Sequence, residues 1–157
     1  MSLESVKAFL SEHAPDIAVI EPESSTATVE LAAATFGVQP GQIAKTLSLR
    51  VGEKRFLLVA RGDARLDNAK AKRAFGGKVS MLGAEEVAAV TGHPVGGVCP
   101  FGLAQPLPVY CDARLKDFAE VLPAAGSTHS AVRLTPERLA VLSNAEWVDV
   151  CRDPEEA

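Results

Sequence analysis

Apolar and polar positions change period several times along this chain, and the changes mark its elements. Leu3, Val6, Phe9 and Leu10 recur at helical spacing behind Ser2, a residue able to cap, so a helix is predicted over Ser2 to His13. Ile17 to Glu21 reads as a short strand that stops at Pro22 in a polar connector. A second helix starts at Thr26 or Thr28, has Glu30 in its first turn, and runs through alanines to Gly37, a natural stop. Val38 to Ala44 is a turn around Pro40-Gly41 with one helical turn. Lys45 to Val51 and Arg55 to Arg61 then form two strands of a hairpin around Gly52-Glu53-Lys54.

Asp67 caps a basic helix, Asn68 to Phe75, closed by Gly76-Gly77. Val79 to Leu82 reads as a strand. Ala84 to Val90 reads as a helix with Glu85 and Glu86 in its favourable first turn. Beyond a Gly/Pro loop, strands are predicted over Leu107 to Asp112, Phe118 to Leu122, Ser130 to Leu134 and Ala145 to Val150. Arg114 and Leu115 fall in a turn. Thr135 caps a helix over Pro136 to Leu142 with proline at its first position. From Asp153 onward the acidic tail is expected to fray. Helices and strands mix without regular βαβ repetition and without an internal repeat. The fold class is therefore α+β, one domain over residues 1–157, with hairpins favouring antiparallel pairing.

Composition narrows this. A chain of 157 residues with 47% apolar content can bury one good core, and 5% aromatics make it an aliphatic one. No apolar run approaches the roughly 18 residues of a membrane span. Met1 to Ser5 lacks the basic and apolar regions of a signal peptide. Cys99, Cys111 and Cys151 are odd in number and form no CxxC. A reduced, cytoplasmic protein with no disulfide framework, metal site or cofactor is expected, with Cys111 and Cys151 in the core. Net charge is −4, which argues against a general DNA binder. The charge is nonetheless segregated. Lys45 to Lys78 holds ten Lys and Arg against three acids, net +7; the remainder holds six against seventeen, net −11. Such a segment can meet a phosphate backbone locally, or it can be a set of solvated faces.

Candidate chemistry gathers at Thr91-Gly92-His93-Pro94-Val95-Gly96-Gly97-Val98-Cys99-Pro100-Phe101-Gly102. Four glycines and two prolines alternate there with apolar residues. Glycine lets another backbone or a ligand come close, and proline stiffens the chain, so the main chain of this loop is a candidate working surface. The plainer reading is a tight turn. A second stretch, Gly41-Gln42-Ile43-Ala44-Lys45-Thr46-Leu47-Ser48-Leu49, runs from a turn into a strand and sets one lysine where apolar residues begin. With Thr28 to Ala34 upstream and Gly96 to Pro100 downstream, these stretches resemble the YbaK family. Its members are aminoacyl-tRNA deacylases related to the editing domain inserted in bacterial prolyl-tRNA synthetases. The resemblance covers roughly residues 26–150.

The resemblance implies a mixed, strongly curved, mostly antiparallel and barrel-like sheet surrounded by helices. It implies that Lys45 anchors the terminal nucleotide of a tRNA, and that Gly96, Gly97 and Pro100 work through main chain. Thr46, Val98, Cys99, Ser127 and His129 are the expected substrate-binding residues. The chemistry agrees, because aminoacyl-tRNA is already an activated ester. A deacylase needs positioning, donors for the developing oxyanion and a water more than it needs acid–base side chains. If the wrong amino acid is cysteine, the family implies that its own thiol attacks the ester instead. Some relatives carry Asp at the position of Ala131, which leaves amino-acid choice open. Taken without the resemblance, Lys45 is a snorkelling surface lysine and His129 an exposed loop histidine. His93 is close to Cys99 in sequence only, so Cys99 reads as a lining or buried small hydrophobe rather than a nucleophile. There is no Gly-x-Ser-x-Gly elbow, HExxH, GxGxxG or P-loop.

The expected function is thus a freestanding deacylase for mischarged tRNA, in particular proline tRNA carrying alanine or cysteine. Mischarged tRNA is the expected partner, prolyl-tRNA synthetase a candidate second one, and monomer and homodimer stay open. The alternatives are a non-catalytic module that binds a tRNA end or a synthetase, and a DNA-binding regulator built on the basic helix.

Overall fold

The computed structural model describes residues 2–154. Helix α1 is Ser2–His13, and Val6 and Leu10 on its apolar stripe are buried. Helix α2 is Val29–Phe36: the Thr28 side chain accepts from the Leu31 N–H, and Gly37 ends it in the left-handed region at φ 66°. A single 3-10 turn, Pro40–Gln42, leads into strand β1, Ile43–Val51, which pairs antiparallel with β2, Lys54–Arg61. Strand β3 is Arg65–Leu66. Helix α3, Asn68–Phe75, is capped by Asp67, whose carboxylate accepts from the N–H groups of Ala69 and Lys70. Strand β4 is Ser80–Met81 and helix α4 is Ala84–Thr91.

After the Gly/Pro loop come β5, Val109–Asp112, a 3-10 segment at Ala113–Asp117, and β6, Leu122–Pro123. Helix α5 is Pro136–Ser143, capped by Thr135 through the Arg138 N–H. Strand β7, Glu146–Val148, and strand β8, Cys151–Arg152, close the described chain.

The main sheet runs β4-β1-β2-β5-β7, with β6 beside β1. Antiparallel pairing dominates its length through the β1–β2 hairpin, while β2–β5, β5–β7 and β1–β6 are parallel. The path ends at β4 and β7, so the sheet is open, and the expected barrel-like closure is not formed. Strands β3 and β8 make a separate antiparallel pair.

Strand β2 explains the layering. Phe56-Leu57-Leu58-Val59-Ala60 is continuously apolar, as a strand covered on both faces must be. Leu57 and Val59 pack with Val6, Leu10, Phe101 and Leu139 on one side. Phe56, Leu58 and Ala60 pack with Ala71, Phe75 and Val150 on the other. Leu57, Leu58 and Val59 are fully excluded from solvent, and each such burial stabilises by about 1.5–3 kcal/mol.

The strands expected over Ile17 to Glu21 and Ser130 to Leu134 are reduced to isolated bridges, and of Phe118 to Leu122 only the Val121 bridge and Leu122 in β6 remain. Ile20 meets Ala131, Ala124 meets Ala131, and Val121 meets Leu134. Pro22 and Pro123 supply no N–H to a ladder. The hydroxyl of Thr26 also takes over as partner to the Ser130 N–H at 3.2 Å and donates to the Ser130 carbonyl at 3.3 Å, in place of strand bonds. The expected last strand breaks at Asp149-Val150. There the buried Asp112 carboxylate accepts from the N–H groups of Val150 and Cys151 at 2.9 and 3.0 Å. Of the expected frayed tail, Asp153 is tied to Arg114 at 2.8 Å, and residues 155–157 lie outside those described. Cys99, Cys111 and Cys151 are all free and buried.

Candidate active site

The Pro40–Gln42 turn delivers β1 into the sheet at Ile43, where the Ile43 N–H donates to the Pro40 carbonyl. From there the two-residue period of a strand puts Ala44, Thr46 and Ser48 on one face, and Lys45, Leu47 and Leu49 on the other. Thr46 and Ser48 line a cavity of about 390 Å³. Thr26 to Thr28, which lead into α2, and Val29 at its start contribute to the wall. The loop after α4 contributes Val95, Gly96 and Val98, and Leu122, Ala124, Ser130 and Ala131 complete it. Met81 and Val95, 62% and 61% exposed, stand at its border as apolar side chains in solvent.

The Gly/Pro loop is clamped from two sides. The Gly97 N–H donates to the Pro94 carbonyl at 2.9 Å, and the Gly97 carbonyl accepts from the Gly126 N–H at 2.9 Å. Gly96 has φ +90°, and a Cβ there would stand 3.1 Å from both the Cβ and the carbonyl oxygen of Ala27. A Cβ on Gly97 would stand 2.7 Å from the Ser127 nitrogen. Glycine is required at both positions for close approach, and at Gly96 for its positive φ as well.

Lys45 is the one charged residue among the described residues that line the cavity. Its Nζ donates to the Ala64 carbonyl at 2.5 Å and lies 3.4 Å from that of Gly62. Burial pushes its pKa below the usual lysine value, and the negative charge of Asp63 partly opposes this. Two further features face the same space. The Thr46 hydroxyl is buried without a partner, and the N–H and C=O of Gly96 have none among the described residues. A buried polar group without a partner costs about 1–3 kcal/mol, which a ligand can recover.

The remaining sequence-predicted residues lie behind or beside this wall. Cys99 is fully buried and does not line the cavity. Its thiol sits 3.7 Å from the Nε2 of His93 and from the Phe101 carbonyl, and burial pushes it up to about 12. Pro100 is buried outside the lining, and Gly97 stands directly behind Gly96. The Ser127 hydroxyl donates to that of Ser130 at 2.7 Å, so Ser127 supports the wall through Ser130. His129 is exposed, with Nδ1 3.1 Å from the Thr128 hydroxyl, and is not part of the lining. The structure thus brings Lys45, Thr46, Gly96 and Val98 around one space and leaves Gly97, Cys99, Pro100, Ser127 and His129 outside it. Sequence reasoning missed Ser48, Met81, Val95 and the Thr26-Ala27 contribution. Ser48 had a signal, because hydroxyls two apart on a strand share a face. Among the described residues no three His, Cys, Asp or Glu side chains converge as a metal site.

Comparison with known proteins decides the family. The model of the aminoacyl-tRNA editing domain matches residues 23–142, which span both walls of the cavity. The chain belongs to the aminoacyl-tRNA editing domain family. It is 49% identical over 155 residues to YwhH of Bacillus subtilis (strain 168), an uncharacterized protein, covering 98% of this chain and 99% of that one. It is 31% identical over 126 residues to EbsC of Enterococcus faecalis (strain ATCC 700802 / V583), named as a candidate Cys-tRNA(Pro)/Cys-tRNA(Cys) deacylase, covering 78% and 76%. A solved structure described as a candidate trans-editing enzyme for prolyl tRNA synthetase superposes with TM-score 0.89 at 35% identity, covering 97% and 98%. For an editing domain the absence of acid–base side chains from the lining is chemically coherent. Hydroxyls, a free main-chain amide and one cation suffice to position an ester that is already activated.

Proposed function

We propose that the protein hydrolyses the ester of mischarged tRNA, and that the aminoacylated 3′ end enters the cavity between Lys45, Thr46 and Gly96. The observation that carries this reading is that one 390 Å³ space is lined by a lysine, by a threonine whose buried hydroxyl has no partner and by a glycine whose main chain has none. The ammonium of Lys45 attracts the phosphate of the terminal nucleotide as a point charge. Of the loop, the lining residues Gly96 and Val98 grip the aminoacyl group, Gly96 through its main chain. Water attacks the ester carbonyl, and the Gly96 N–H is a donor available for the oxyanion that develops. The C–O bond to the ribose then breaks, and the proton lost by the water ends on the ribose oxygen. A cysteinyl group can make the same attack with its own thiol in place of water.

The lining supports a small, uncharged amino acid. Ala27, Ala44, Ala124 and Ala131 alternate with Thr26, Thr46, Ser48 and Ser130, and among the described residues no carboxylate lines the cavity to pair with a basic side chain. Proline tRNA carrying alanine or cysteine is the expected substrate, of which the cysteine and the proline tRNA are in keeping with the name of the Enterococcus relative, and the cytoplasm is the expected place of action. Amino-acid release from a panel of mischarged proline tRNAs, measured against a no-protein control, tests the reading. Faster release of alanine and cysteine than of phenylalanine is expected. Release at the control rate for every amino acid would leave a binding module in place of an enzyme.

A further inference from the structure

Ten of the sixteen Lys and Arg lie between Lys45 and Lys78, and the cavity uses Lys45 alone of them. The fold divides the others into two groups. Arg50 and Arg55 pair with Glu86, Arg61 with Asp63 and Asp117, and Lys70 with Asp149. Lys54, Arg65, Lys72, Arg73 and Lys78 are exposed and, among the described residues, have no carboxylate in ion-pair range. Outside the segment the pattern reverses. Lys7, Arg114, Arg133, Arg138 and Arg152 each have an acidic partner, and Lys116 lies 4.2 Å over the Trp147 ring. The acids within the segment do little to neutralise the five. Asp63 is committed to Arg61, Asp67 caps α3 and approaches Arg152, and only Glu53 in the hairpin turn stands near Lys54.

The five cations follow one path. Helix α3 packs buried Ala71 and half-buried Phe75 in the cluster beneath it, which leaves Lys72 and Arg73 exposed. Gly77 abuts Val51, whose register partner is Lys54, so the chain carrying Lys78 passes beside the hairpin turn. Lys78 precedes Met81 by three residues, about 10 Å of extended chain, and Met81 borders the cavity. At the other end Arg65 directly follows Ala64, whose carbonyl accepts from the Lys45 ammonium at 2.5 Å. The path therefore meets the border of the cavity at both ends.

Resting on the reading of the cavity as the seat of a tRNA 3′ end, we propose that Lys54, Lys72, Arg73 and Lys78, with Arg65 at the Lys45 end, form a phosphate-binding face for the backbone of the tRNA acceptor stem. Unpaired cations on a net-acidic protein give binding that is local, independent of base sequence and steeply salt-dependent.

The test measures the affinity of uncharged proline tRNA across a range of salt for the wild type and for K54A/K72A/R73A/K78A. A control, K7A/K116A/R133A/R138A, removes four cations from outside the segment. The first variant is expected to bind at least about tenfold more weakly near 0.15 M salt, with the slope of log affinity against log salt reduced by about 3, at roughly 0.7–0.9 per lost phosphate contact. The control is expected to stay near the wild type. Equal loss in both variants, loss in neither, or equally tight binding of duplex DNA would overturn the proposal. Thermal melts check folding. Should the fourfold variant unfold, Lys72→Ala and Lys78→Ala singly are each expected to lower the slope by about 0.8. No hydrolysis is needed, so the two ideas fail separately. Binding that depends on this face without deacylation removes only the enzyme, and deacylation with binding indifferent to the face removes only the face.

Discussion

Thr46 and Lys45 are adjacent in sequence but serve the site in different ways. The Thr46 hydroxyl is buried with nothing to bond, while the Lys45 ammonium rests on the Ala64 and Gly62 carbonyls. Thr46→Val keeps the shape and removes the hydroxyl. It should leave the melting temperature unchanged or raised, and lower kcat/KM by about tenfold or more if the hydroxyl meets substrate, which is about 1.4 kcal/mol. Cys99 makes the opposite case. Its thiol is sealed from the cavity and held neutral, so Cys99→Ser should keep deacylation within about threefold; complete loss in a folded variant would make the thiol a participant. His93 carries a pH prediction. Its ring is fully buried, Nδ1 has no partner, and burial pushes its pKa below 6.5. The unfolded chain therefore binds the proton first, and stability should fall as pH drops below 6.5 toward the lowered folded value. Asp16, Asp63, Asp67 and Asp149 have carboxyls held below 3.8 and act only at lower pH. Urea midpoints at pH 7.5 and 5.5 should differ for the wild type and draw together in His93→Gln; an unchanged difference would assign the effect elsewhere. Lys45 was legible only through the resemblance of its Lys-Thr-Leu context, because its pattern alone reads as a snorkelling surface lysine. The unpartnered state of Thr46 was not, because a missing partner is a property of the packed wall and not of any residue in it.

Among the elements, helices read well and strands less so. The caps at Thr28, Asp67 and Thr135 and the stops at Gly37 and Gly76 are chemistry local to the chain, and the helices they bound have the expected ends except that α5 runs one residue further, to Ser143. The strands expected at Ile17 to Glu21 and Ser130 to Leu134 depended on partners. Neighbouring Pro22 and Pro123 lack an N–H and the Thr26 hydroxyl takes the Ser130 N–H, so isolated bridges formed in place of ladders. The Gly/Pro loop was legible as a close-packed main chain, but its neighbours, Ala27 and Ser127, were not. That contact yields a prediction. Gly96→Ala puts a methyl group 3.1 Å from Ala27 at φ +90°, at a cost of about 1–3 kcal/mol. Gly97→Ala drives one to 2.7 Å from the Ser127 backbone. Both should lower the urea midpoint, and Gly96→Ala should also reduce deacylation, since it displaces the unpartnered amide. A Gly96→Ala protein with the stability and turnover of the wild type would show that the loop has slack.

Across the whole molecule, one open sheet covered on both faces sets the β1 face carrying Thr46 and Ser48 against the N-terminus of α2 and the glycine loop. No single element makes the cavity, so its existence could not be read from periodicity. Only the order of the three stretches hinted at it. The segregation of charge was plain in the sequence, while its division into paired and unpaired cations required the fold. The most direct measurement of the central claim is single-turnover release of alanine from alanyl-tRNA(Pro) by wild type and Lys45→Ala, with folding checked by thermal melt. The expected result is release well above the no-protein rate for the wild type and a loss of at least about a hundredfold, some 2.7 kcal/mol, in a folded Lys45→Ala. Release by the folded variant at the wild-type rate would contradict the account, because the cation at the cavity would then have no part in holding the tRNA end.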